Sequence, residues 1–490
     1  MRNSIRGSGL YAGVVVLLAA CAGSSAYRAP LLSAAPSTEL HSVPSHAGRP
    51  SAPDVAAPAP VLGPFWQLVG DSTLSRLVTE ALRGGTSVRV AEARLDAARA
   101  SRRLSGFDFA PTVTAGGSAY RMRQSMAEFP GITSPLPQYD LYDVGFDASW
   151  ELDLFGRVRR NFNAQSALVT SAEHSLEDVQ VSVSAEVART YFELRGAQRQ
   201  LAVARRNADV QRKTVTLTED RLAAGRGTAF DVERARSVLQ LTLSAVPTLE
   251  AQIAAARYRI ASLLGRTPDV IPSELLVDGP LPELPDSVTI GSPRDIVRRR
   301  PDVQAAERNL AAQSLSVGVA QAEYLPRFSL AASTGFTANR IQSLTSTGTS
   351  RVLVGPVVSF PLLDLGRVRQ RVGFAEARAD EANAQYTATT LQAVEEAETA
   401  LVGYRRAHER LAILGEAVSS SVRASELAEQ RFEAGLTDFL QVLDAQRTQL
   451  EAENQLATAH TAAATSLVAL YKAVGGVWPT GDQRSGIRDR

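Results

Sequence analysis

Few residues capable of covalent chemistry stand where they could perform it. The single cysteine, Cys21, closes the stretch Leu18-Ala19-Ala20-Cys21, a lipobox-like pattern in which cleavage precedes the cysteine and its thiol is acylated. The five histidines, His41, His46, His174, His408 and His460, are scattered without the spacing of metal ligands. His408 falls near a helical seam and reads as packed rather than ligating. The glycines of Ala224–Gly227 are not followed by the Lys-Ser/Thr pair that a phosphate loop needs. No serine sits in a nucleophile frame, and Met1, Met122 and Met126 are too few to line a metal path. The residue types therefore predict no enzyme, no cofactor and no metal site, only a covalent lipid on Cys21.

The N-terminus supplies the context for that lipid. Arg2 and Arg6 precede an apolar run over 9–20, too short to span a bilayer as a helix and typical of a signal peptide. An ordinary secretory signal with an incidental cysteine is the alternative, but it leaves the lone thiol unexplained. Ala22 follows the cysteine instead of the aspartate that retains lipoproteins at the inner membrane, which points to the outer membrane. Residues 1–20 read as the signal peptide and 21–64 as a lipidated Pro- and Ala-rich arm without periodicity. With 52 basic and 51 acidic residues among 490, the net charge of +1 gives no footing for nucleic acid.

The remaining chain is written twice. "LDLFGRVRR" at Leu152–Arg160 returns as "LLDLGRVRQ" at Leu362–Gln370, 210 positions on when Gly156 is aligned with Gly366. "RLAAG" ending at Gly225 and "RFEAG" ending at Gly435 keep that offset, while Pro111 and Pro326 are 215 apart. The repeats occupy 65–287 and 288–478, leaving a tail over 479–490. Each runs helix, two short strands, very long helix, glycine turn, helix; the first helices are expected over 71–105 and 292–323.

In Tyr142–Leu152 the even positions are apolar and the odd ones polar or glycine, and Phe328, Leu330, Ala332 and Phe336 alternate similarly. Strands are predicted at about 112–120, 141–152, 327–338 and 351–363. Such alternation fits a transmembrane β-strand as well as a soluble half-buried sheet. Tyr120, Tyr142, Trp150, Phe328 and Phe360 are candidate membrane-facing aromatics, and 121–140 and 339–350 candidate cell-surface loops. The helices break the tie. Residues 157–224 and 367–434 contain no proline, so each can run about 100 Å at 1.5 Å per residue. Leu194, Ala197, Leu201, Ala204 and Ala208 step by three and four, as do Ala397, Leu401 and Tyr404, the period of a coiled coil. Four transmembrane strands cannot close a barrel alone, since about eight are needed. Three copies supply a 12-stranded barrel continuous with a helical cylinder.

The polar residues that remain lie at turns. Gly225, Thr228 and Asp231 form one far tip, with Arg221 before it; Arg431, Gly435, Thr437 and Asp438 form the other, where Thr437 or Asp438 can cap the next helix. Leu440 and Asp444, four apart, share a helix face and would form an apolar and an acidic ring in a threefold assembly. A solvated helix position is the plainer account of Asp444. Gly156, Arg157, Gly366 and Arg367 mark two strand-to-helix corners, with both glycines expected to permit the turn. The arginines there read either as a solvated basic face or as a collar against phospholipid headgroups.

Four stretches carry a family resemblance: "FWQLVGDSTLSRLVTEAL" (Phe65–Leu82), "RRRPDVQAAERNLAAQ" (Arg298–Gln313), "FPLLDLGRVR" (Phe360–Arg369) and "RFEAGLTDFLQVLDAQRTQLEAE" (Arg431–Glu453). The chain from Phe65 to Trp478 resembles the TolC-like outer-membrane factors, specifically their lipoprotein (NodT-type) branch. The resemblance implies a mixed fold, a membrane β-barrel plus a long α-helical coiled-coil tunnel, assembled as a homotrimer in the outer membrane and reaching into the periplasm. It implies passive conduction in multidrug export, with a periplasmic adaptor and an inner-membrane pump of the RND type as partners. It also implies a gate at the helix tips, where Asp444 matches a gate aspartate; Gln441 replaces a second acid, so one acidic ring is expected. The alternative is a structural or adaptor-type periplasmic lipoprotein without conductance; an adaptor should hold one hairpin and no duplicated strand pairs.

Overall fold

A computed structural model describes Trp66, residues 69–123, Ser125, Gly131, 137–284 and 293–476, with backbone alone at 293–295. The expected signal peptide, Cys21, the arm, the tail and much of the 121–140 loop lie outside the described residues. In chain order the helices and strands are α1 (Ser72–Gly84), α2 (Thr86–Phe107), β1 (Thr112–Met122), β2 (Tyr139–Leu152), α3 (Arg157–Ala223), α4 (Ala229–Leu263), α5 (Pro293–Arg299), α6 (Pro301–Gln321), β3 (Arg327–Ala338), β4 (Ser350–Ser359), α7 (Leu365–Glu433) and α8 (Phe439–Ala473). The chain forms two compact units. One comprises Arg94–Glu173 and Ala305–Thr387; the other comprises His174–Gln304 and the described parts of Leu32–Ala93 and Ala388–Arg490.

The first unit holds a four-stranded antiparallel sheet in the order β1-β2-β3-β4. Residues directly opposite one another share a face of a sheet. Tyr142, Val144, Trp150 and Leu152 of β2 oppose Ala338, Phe336, Leu330 and Phe328 of β3, and Val358 and Val354 of β4 continue that apolar face. On β1 the apolar face falls on odd positions, Val113, Ala115 and Ala119. Tyr120 therefore lies on the opposite, polar face, unlike Tyr142, Trp150 and Phe328. That polar face is tied across three strands. Asp143 accepts two hydrogen bonds from Arg351 (2.8 and 2.9 Å) and one from Thr337 (2.7 Å), and Arg351 also donates to Ser333 (2.6 Å).

The second unit is a helical core. Leu74, Leu77 and Val78 of α1 pack with Tyr191, Phe192 and Leu194 of α3, Ile260 of α4, Leu401 of α7 and Leu467 of α8, all buried. The seam positions Leu194, Ala197, Leu201, Ala208, Ala397, Leu401 and Tyr404 are buried too. Asp71 starts α1, accepting from Thr73 N (2.8 Å) and Leu74 N (3.0 Å), while its other oxygen accepts from the Tyr191 hydroxyl (2.7 Å). Burial and this bond push Tyr191 up to about 12.

Three expected elements end earlier than their periodicity implies. The helix over 71–105 divides at Gly85, where a Cβ would sit 2.4 Å from the Ala81 carbonyl oxygen. The helix over 292–323 divides at Arg300, because the residue before a proline avoids the helical region and Pro301 has no N–H. The strand over 351–363 stops at Ser359; Pro361 follows, and Leu362 N turns back to Phe360 O (2.9 Å).

Candidate functional site: the helix tips

Both tips are built the same way. At the end of α3, Gly225 N bonds Leu222 O (3.0 Å) and Arg226 N bonds Arg221 O (2.8 Å); at the end of α7, Gly435 N bonds Phe432 O (2.9 Å) and Leu436 N bonds Arg431 O (2.8 Å). These paired bonds satisfy the last carbonyls of each helix and require a left-handed residue. Gly225 and Gly435 supply it at φ +71° and +70°.

The caps that restart the chain differ. Thr228 and Asp231 form a reciprocal box at the start of α4: Asp231 N donates to the Thr228 hydroxyl (3.2 Å), and Thr228 N to the Asp231 carboxylate (3.1 Å). At the start of α8, Asp438 accepts from Gln441 N (3.1 Å) and the Thr437 hydroxyl donates to Gln441 Oε1 (2.5 Å). Asp438 is thus the cap and Thr437 the group that orients Gln441.

Leu440, Gln441 and Asp444 come together in an open cleft of about 530 Å³, with Asp438, Ser421 and Arg234 on its walls. Leu440 is 38% exposed, and Gln441 and Asp444 are exposed, so an apolar and an acidic side chain are both available on one face. Arg221 lies elsewhere, over the Phe432 ring at 4.4 Å, and Phe432 packs on Phe439 at 5.4 Å. Arg236 joins the two helices of the first tip through Glu219 (2.6 Å). Arg234, Phe432 and Phe439 are absent from the expected set. The aromatics flanking Gly435 were a visible signal, whereas nothing local marks Arg234, which comes from the other repeat.

The two corners are less alike than their wording. Gly156 has φ +74°, and Asp153 caps α3 from behind it, accepting from Val158 N and Arg159 N (both 3.0 Å). Gly366 lies within the first turn of α7, which begins at Leu365, and does not make the turn; Asp364 O accepts from Val368 N (3.2 Å) instead. The expectation for Gly366 is corrected by that earlier helix start. Three of the corner arginines face acids of their own chain, while Arg160 donates to Phe155 O (2.7 Å). Arg157 bonds Glu151 twice (2.8 and 2.6 Å), Arg367 lies 3.4 Å from Asp364, and Arg371 bonds Glu323 (2.7 Å). The Glu151 bonds outweigh burial and hold the Arg157 proton more firmly than usual.

Known proteins share this design. The chain matches the family described as "Outer membrane efflux protein" over residues 77–266 and 293–476. It is 31% identical over 412 residues to outer membrane protein OprJ of Pseudomonas aeruginosa, covering 84% of this chain and 85% of that one. It is 29% identical over 412 residues to the toluene efflux pump outer membrane protein TtgI of Pseudomonas putida, covering 83% and 86%. Its fold is similar to the solved outer-membrane channel OprN, with a TM-score of 0.82 and 39% identity over 89% of this chain and 99% of that one. Both repeats, their sheet and their paired tips are covered by these matches: the chain belongs to the outer membrane efflux protein family.

Proposed function

We propose that the protein is the outer-membrane conduit of a tripartite efflux system, receiving cargo from a periplasmic adaptor and an inner-membrane pump of the RND type and passing it outward without catalysis. One observation carries the reading. The sheet has an apolar face along all four strands, yet β1 and β4 each lack a neighbour on one side among the described residues. Open edges are not tolerated in hydrocarbon, where unpaired backbone groups cost several kcal/mol each. Closure therefore needs further copies, and three give a 12-stranded barrel, with acylated Cys21 as an additional anchor. The periplasmic tips then meet around the threefold axis. Leu440 and Asp444 form an apolar ring and an acidic ring that narrow the passage, and the two glycine turns offer the adaptor its docking surface.

Single-channel recording of the full-length protein in a planar bilayer tests this. A small resting conductance is expected, rising several-fold in Asp444→Ala and Leu440→Ala. Absence of conductance in the parent and in both variants would reject the conduit, leaving an envelope lipoprotein. An unchanged conductance in both variants would reject the gate alone.

A further inference from the structure

Six arginines follow the two strand-to-helix corners, and four of them have partners. Arg157, Arg367 and Arg371 meet carboxylates, and Arg160 donates to a carbonyl. Arg159 and Arg369 are exposed and have no acid or carbonyl partner for their guanidinium among the described residues. These two stand 210 positions apart, the offset that carries Gly156 onto Gly366. The same position is therefore left open in both repeats.

The side it faces follows from α3, whose flanks are taken by its own chain. On one flank Ser101 of α2 bonds Gln165 (3.0 Å) and Arg102 lies over the Phe162 ring at 5.2 Å. On the other, Ser171 donates to Ala305 O of α6 (2.8 Å), and a Cβ on Gly318 would meet Arg160 Cδ at 2.8 Å. Arg157 bonds Glu151, which lies on the polar face of the sheet with Asp143. Two residues along a helix turn the side chain by about 200°. Arg159 thus points away from the polar face, to the side where Phe155 packs on Phe328 of the apolar face at 6.3 Å. Arg367 and Arg369 repeat that step on α7.

The corners are also apolar. Leu154 is 63% exposed and Leu363 100%. The strands that end there hold 11, 14, 12 and 10 residues, and about 9–11 suffice to cross the hydrocarbon of a bilayer. A free guanidinium beside an exposed leucine then falls where hydrocarbon gives way to headgroups. A guanidinium fork matches a phosphate in geometry as well as charge.

We propose that Arg159 and Arg369 bind the phosphates of phospholipids in the periplasmic leaflet of the outer membrane. The proposal rests on the membrane-channel reading and gives its lower rim a lipid site in each repeat. A second copy cannot take the place at Arg159, because α2 and α6 of the same chain occupy both flanks of α3. Arg157 and Arg367, turned to the polar side, take no part.

Native mass spectrometry of the full-length protein, with acylated Cys21 retained and phosphatidylglycerol titrated into the detergent, tests this. Each of Arg159→Gln and Arg369→Gln is expected to weaken lipid retention about five-fold, the worth of one cation near an anionic membrane surface, and the two together more. Arg159→Lys should keep most of it. Arg157→Gln with Arg367→Gln removes equal charge from the other side and should retain lipid like the parent. Millimolar inorganic phosphate should leave the bound lipid in place. Unchanged retention in Arg159→Gln and Arg369→Gln would overturn the proposal. So would equal loss in the two double variants, which would reduce the effect to net charge, or displacement of the lipid by inorganic phosphate, which would show a free-anion site. Conductance across a planar bilayer, recorded for the same samples, separates the two readings: a conducting parent whose variants keep their lipid loses the collar and keeps the conduit.

Discussion

Arg300→Ala is expected to cost the second unit about 1–3 kcal/mol, short of the full penalty for a buried ion pair because the Asp302 and Glu396 side chains it leaves behind are 25% and 38% exposed. Only 8% of the Arg300 side chain is exposed. Its guanidinium grips Asp302 twice (3.0 and 2.7 Å), reaches Glu396 (2.7 Å) and donates to Ala473 O (3.1 Å), one of the carbonyls left open at the end of α8. Burial works against its charge, but the bonds to Asp302 and Glu396 prevail and hold its pKa above the ordinary value. Without it, Asp302 and Glu396 lose their cation and a helix end loses its cap. Arg300→Lys should recover little, since one ammonium cannot reproduce the bidentate fork. Urea unfolding of the detergent-solubilised protein, followed by circular dichroism, reads the loss; an unchanged midpoint would mean that water compensates the acids.

Asp178 belongs to the same cluster and gives it a pH dependence. Burial first, and then Asp302, hold its carboxyl above the usual carboxylate range, with Lys472 and Arg300 opposing. A carboxyl raised in the folded state contributes stability below its unfolded pKa, and that contribution is lost as pH rises through the folded value. Asp178→Asn should therefore raise the unfolding midpoint at pH 7. The advantage should shrink as pH falls towards about 4, the unfolded range for aspartate. In Arg300→Ala the same change should recover part of the loss, because one of three mutually repelling acids is gone.

Gly196→Ala is expected to destabilise, although helix propensity alone predicts a gain of about 0.5–1 kcal/mol for that exchange inside a helix. A Cβ at Gly196 of α3 would meet Thr461 of α8 at 2.0 Å from its hydroxyl oxygen and 2.9 Å from its own Cβ. Contact with the Cβ means that rotating the threonine does not clear the way, so the helices must separate. Overpacking of this kind costs about 1–3 kcal/mol, and Gly196→Leu should fall beyond that range. The sign is the test. A net gain for Gly196→Ala would show that the two helices have slack at this crossing. A loss that Thr461→Gly relieves would show that the close approach is what the glycine serves.

Periodicity is a local property, and the elements that depend on it were legible in the residues. The alternation through Tyr142–Leu152 and the proline-free runs after each corner name strand and helix because backbone geometry repeats every 2.0 or 3.6 residues whatever lies nearby. Gly225 and Gly435 were equally legible, since a left-handed turn has few other occupants. The duplication was visible as well, and its offsets reappear in the strand register. Where an element breaks depended on neighbours: Gly85 approaches Leu263 O as well as its own helix, and Gly366 lost its role when α7 began two residues before the matching point. The faces of β1 followed from pairing, because parity on one strand does not tell which parity the next strand presents. Arg234 in the tip cleft, the Arg300 cluster and the Gly196 crossing join residues 96 or more positions apart. Such contacts leave no period in the sequence; they arise when packed helices bring particular side chains within a few ångströms, and only the tertiary structure decides which ones meet.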